Sequence, residues 1–66
     1  MEKAITLEEA VEYGKELIAD YQWAYACQDT VLMQVYARKR AAFENGLIRD
    51  YGEDFAFDYY NAINAA

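Results

Sequence analysis

Residues 31–51, VLMQVYARKRAAFENGLIRDY, decide how this chain folds, because they carry two signals that contradict each other. Asn45-Gly46 is the kind of pair that ends a helix. Yet Leu32, Met33, Tyr36, Phe43, Leu47 and Tyr51 keep one apolar stripe, at about 100° per residue, on both sides of it. A genuine break has no reason to conserve rotational phase. The stripe therefore outranks the dipeptide, and one helix is expected over about 31–51 with Gly52 as its terminating glycine.

Toward the N-terminus, Leu7, Ala10, Val11, Gly14, Leu17, Ile18, Tyr21 and Tyr25 form a second stripe, the width of a core-facing helix. Thr6 and Glu9 have capping-box spacing just before it, which places a first helix over about 7–28. Gly14 lies in the stripe, where alanine would be a better helix former by about 1 kcal/mol. Either a neighbouring helix approaches closely there, or one glycine is simply tolerated. Asp29 and Thr30 are both good N-cap types and make a short turn between the helices. Toward the C-terminus, Phe55, Tyr59, Ala62 and Ile63 share a helical face, and Glu53 and Asp54 suit a first turn, so a third helix is expected over about 53–64. The alternation of Phe55, Phe57 and Tyr59 also fits a strand, for which only a second copy could supply a partner. The expected fold is all-α: a long antiparallel helical hairpin plus a short C-terminal third helix, one small domain over 1–66.

With 66 residues and 7.6 kDa, the chain is near the lower limit for a self-sufficient core. The usual supports are disulfides, metals or oligomerisation. Cys27 has no second cysteine to pair with and there is no histidine, so oligomerisation is the support left and a homo-oligomer is expected.

Twelve acids against six bases give a net charge of −6 and a pI near 4.3. Residues 1–29 hold seven acids and two bases, 30–48 one acid and three bases, and 49–66 four acids and one base. Such a charge repels nucleic acid and anionic membranes, although acidity also serves solubility alone. No cationic leader and no apolar run near the roughly 18 residues of a membrane span are seen, and a free cysteine agrees with a reducing compartment. The expectation is a cytoplasmic protein with a basic protein partner and no direct contact with nucleic acid or membrane.

The residue inventory is poor for catalysis. Without histidine or serine there is no ordinary base near neutral pH and no nucleophile pair, so a non-enzyme without cofactors is expected. Cys27, with Trp23 and Asp20 as helical neighbours, has no base beside it to activate it as a nucleophile and is read as inert. Arg38, Lys39 and Arg40 diverge by about 100° each and have no glycine-rich loop beside them, so they make no phosphate cradle. Arg40 lies on the edge of the apolar stripe, where it is expected to pair with an acid of the first helix or of a second subunit.

One thread leads to catalysis. Glu8, Glu9 and Glu12 gather carboxylates on one side of a helix, a spacing able to hold Mg²⁺, although acids there also suit the helix dipole. The Glu-Glu-x-x-Glu stretch resembles the first half of the metal motif of the all-helical MazG-like nucleotide pyrophosphohydrolases. The resemblance covers these five positions; Asp50 and Glu53 have the second half's spacing in reversed order. It implies, as an alternative, a Mg²⁺-dependent nucleotide-binding or hydrolysing helical oligomer.

The large aromatics fall partly on the wrong sides. Trp23 lies opposite the first stripe, sharing that side with Glu9, Glu12, Glu16, Ala19, Asp20 and Cys27, while Phe57 and Tyr60 fall away from Phe55, Tyr59 and Ile63. Three helices have one interior, so these rings must meet a third element, another copy or a foreign partner. Trp23, Glu12, Glu16, Asp20, Phe57 and Tyr60 are therefore the candidate partner-binding residues. The function expected from them is a small acidic interaction protein that occludes a basic protein surface, in its sharpest form by nucleic-acid mimicry. That character is shared with phage counter-defence inhibitors such as anti-CRISPR proteins. A structural assembly subunit is a further alternative.

Overall fold

Thr6 and Glu9 close the predicted capping box in both directions: the Glu9 N–H donates to Thr6 Oγ1, and the Thr6 N–H to Glu9 Oε1, each at 3.1 Å. In the computed structural model, which describes residues 4–65, this box starts α1 (Leu7–Ala26). The helix ends two residues before the expected position, because Gln28 turns into the left-handed region at φ 58°. Asp29 then caps α2 (Thr30–Tyr51), its carboxylate accepting the Leu32 N–H at 3.1 Å. α2 runs through Asn45-Gly46 without interruption, as its phase required, and stops at Gly52, whose φ of 93° a side chain would resist. α3 (Glu53–Ala65) follows at once. No strand occurs among the described residues, so the Phe55–Tyr59 alternation belongs to a helix.

The helices pair in opposite order along their lengths. The Ile5 N–H donates to the Tyr51 hydroxyl at 3.0 Å, Tyr13 meets Phe43 edge to face with ring centroids 4.7 Å apart, and Tyr21 faces Tyr36 across a groove. α1 and α2 are thus antiparallel. α3 folds back along α2: Phe55 stacks on Tyr51, and one turn later Tyr59 reaches Glu44. The three helices enclose a core centred on Ala10, Leu47, Tyr59 and Ile63, with Val11, Ile18, Phe43 and Phe55 packed around it.

Gly14 admits α3 to this core. A Cβ built there would overlap the Tyr59 hydroxyl and lie 2.9 Å from Ile63 Cδ1. Of the two readings of this glycine, close approach is the one that holds.

At about 1.5 Å per residue the 13 residues of α3 span roughly 20 Å, against about 30 Å for α1. α3 therefore leaves the end of the hairpin near residues 21–36 as two helices without a third. This accounts for two departures from the expected core. Tyr21 and Tyr25 are 37% and 66% exposed, and Ala24 is buried in their place. On α2 only Leu47 of the apolar stripe is fully buried. The radius of gyration, 12.7 Å, exceeds the roughly 11 Å typical of this length, in keeping with an open end. No helix among the described residues is long and apolar enough to cross a membrane.

Candidate functional site: an acidic face on the first helix

Glu8, Glu12, Glu16 and Asp20 recur every four residues on α1, about 6 Å of rise apart, and all four are exposed. At 100° per residue Trp23 falls between Glu12 and Glu16 in projection, one turn beyond Asp20, on the side opposite Ala10, Gly14 and Leu17. None of the four acids forms an ion pair among the described residues, where the pairs found are Arg40–Glu44 and Arg49–Asp50. Like charges four residues apart oppose helix formation by about 0.2–0.5 kcal/mol per pair, and this row contains three such pairs in succession. α1 tolerates that repulsion because its opposite side is anchored in the core and its start is capped.

Trp23 stands 61% exposed at the end of this row. α3 does not fold over it. Its neighbour on the same face, Cys27, is a free and exposed thiol.

Phe57 and Tyr60 are not brought to this face. Phe57, 67% exposed, shares a shallow hollow of about 300 Å³ with Ile48, Glu53, Ala56 and Tyr60, to which α1 contributes nothing. Tyr60 does not turn outward as its helical angle suggested. It is half-buried against the core, its ring edge-on to Tyr59 at 5.3 Å and its hydroxyl donating to Glu44 Oε1 at 3.5 Å.

Glu44 is the residue that sequence reasoning passed over. Its Oε2 accepts from Arg40 Nε at 2.9 Å and from the Tyr59 hydroxyl at 3.0 Å. Arg40 therefore finds its acid one turn along its own helix, where an acid of the first helix or of a second subunit is the sequence expectation, and the pair clamps α3 to α2. Burial, with the nearby carboxylate second, pushes the Tyr59 phenol well above its ordinary range; Tyr60 moves the same way for the same reasons. The Arg40 pKa rises chiefly through its hydrogen bond to Glu44. The Arg40-x-x-x-Glu44 spacing was visible in the sequence, but only the arrival of α3 makes it a three-residue clamp.

The carboxylates of the metal reading stay apart. Glu9 is turned back into the capping box, and among the described residues no group of three acids, cysteines or histidines is placed to hold a metal ion. Glu8 and Glu12 alone do not make the site that the resemblance implied.

With this geometry in hand, comparison with known proteins gives no relative: no family model, no curated protein and no solved structure matches the chain.

Proposed function

We propose that this protein is a non-enzymatic acidic interaction module that occupies a basic surface on another protein, with Glu12, Glu16, Asp20 and Trp23 as the contact residues and Glu8 extending the row. The observation that supports this reading is the unpaired carboxylate row ending in an exposed indole. A cationic partner converts three repulsive pairs into attractive contacts, and the indole supplies the apolar anchor that a purely ionic contact lacks. A line of carboxylates on one rigid helix can occupy lysines and arginines that otherwise hold phosphates, which favours a target that ordinarily binds nucleic acid. Inhibition of a nucleic-acid-handling enzyme, as a phage counter-defence protein performs it, is the specific form of this proposal.

The experiment is capture from host lysate on immobilised wild type, Trp23→Ala, and the triple variant Glu12→Gln/Glu16→Gln/Asp20→Asn, each with and without excess duplex DNA. A protein retained by wild type, lost with both variants and displaced by DNA supports the proposal. Retention that ignores the triple variant and rising salt overturns it.

A further inference from the structure

α3 covers only part of the surface that α1 and α2 present to it. Beyond Tyr59 and Tyr60 that surface continues as an open groove of about 410 Å³, lined by Leu17, Ile18, Tyr21, Tyr36, Ala37 and Ala41. Glu44, which holds both tyrosine hydroxyls, also lines it, so the groove is the direct continuation of the seat of α3.

The rim of the groove is basic on an acidic molecule, while in the lining itself Arg40 and Glu44 pair and cancel. Lys15 lies one turn before Ile18 on the α1 rim and Arg38 one turn before Ala41 on the α2 rim, and neither has an acidic partner among the described residues. Glu44 is the only acid in the lining. The exposed side of α3 has the complementary chemistry: Phe57 projects 67% exposed, and Glu53 and Asp54 stand one turn before it.

We infer that the groove is filled by α3 of a second copy, in a two-fold symmetric dimer. Each α3 lies between two hairpins, its Tyr59 side on its own α1 and α2 and its Phe57 side in the other copy's groove. The contact is reciprocal, so one operation satisfies both grooves and leaves no open end. The acidic face of α1 stays outside this dimer, so the inference stands or falls apart from the proposed function.

Sedimentation velocity over a concentration series tests it. Wild type is expected to sediment at twice 7.6 kDa in the micromolar range. Phe57→Asp, checked for unchanged helicity by circular dichroism, is expected to weaken association at least about tenfold, since it places a charge where a phenyl ring is buried. Two charge-reversed chains provide the sharper test. Lys15→Glu/Arg38→Glu makes the groove repel its own α3, and Glu53→Lys/Asp54→Lys makes α3 repel its own groove. Each alone is expected to be monomeric, and an equimolar mixture to form heterodimers. A monomeric wild type, which would leave the groove to a foreign segment, overturns the inference. So does a Phe57→Asp dimer as tight as wild type, or a mixture that remains monomeric.

Discussion

The Tyr59 hydroxyl occupies the space that a side chain on Gly14 would need, and the same hydroxyl donates to Glu44 on the opposite helix. A position with no side chain on α1 thereby sets how deeply α3 enters and where the buried Tyr59 hydroxyl finds a partner. The two ends of that relationship can be perturbed separately.

Gly14→Ala is expected to destabilise the fold although alanine is the better helix former. Propensity favours the change by about 1 kcal/mol, while overpacking against Tyr59 and Ile63 costs roughly 1–3 kcal/mol. A net loss of up to about 2 kcal/mol should appear in urea unfolding followed at 222 nm. A stabilised variant would mean that α3 is not seated on Gly14.

Glu44→Ala should cost more than Tyr59→Phe. The first strands the Tyr59 hydroxyl in the core and leaves Arg40 unpaired, a loss of roughly 2–3 kcal/mol; the second removes one hydrogen bond, about 1–1.5 kcal/mol, and Glu44 keeps Arg40. Combining them should cost less than the sum, since both remove the same contact.

Alkaline pH should unfold the protein by a route that Tyr59→Phe blunts. The Tyr59 pKa is raised in the folded state, so its contribution is intact below the unfolded value near 10 and is lost as pH climbs from there toward the folded value. Where the unfolded phenol has ionised and the folded one has not, stability falls by about 1.4 kcal/mol per pH unit from this residue. Denaturant midpoints between pH 9 and pH 11.5 should decline more steeply for wild type than for Tyr59→Phe.

Glu16→Lys should raise the melting temperature and abolish target binding at once. The lysine sits four residues from both Glu12 and Asp20, turning two repulsive pairs into attractive ones. Trp23→Ala, at a position 61% exposed, should leave the melting temperature within a degree or two while removing the same binding. A fall in melting temperature for Glu16→Lys would show that the row is held by contacts within the molecule.

The parts of this architecture that were legible in the sequence rest on local rules. Thr6 and Glu9, Asp29, and Gly52 mark helix ends through their own backbone chemistry, and the phase of Leu32 through Tyr51 was enough to overrule Asn45-Gly46. Trp23 was readable as exterior because it sits opposite a stripe anchored by Ala10, Gly14 and Leu17. What failed needed the third helix in place. Tyr25 lies in the apolar stripe of α1, but periodicity says which side faces inward and not how far along the helix anything covers it. Tyr60 and Arg40 were misplaced for a related reason: both are drawn to Glu44, a residue that looks like an ordinary surface acid until two phenols from α3 arrive. Phe57 and Trp23, grouped by their shared outward angle, lie on different surfaces, since helical angle carries no information across helices.

Three layers at one end and two at the other make the molecule a wedge whose thin edge is the turn at Cys27–Asp29. Amide protons report such a gradient directly. Those around Leu47 and Tyr59, in the core, are expected to exchange only with global unfolding, and those flanking Gln28 through a local parting of two helix ends. Trp23 lies toward the thin edge, so in the isolated chain its amide is expected to exchange with those of the turn and not with those of the buried end.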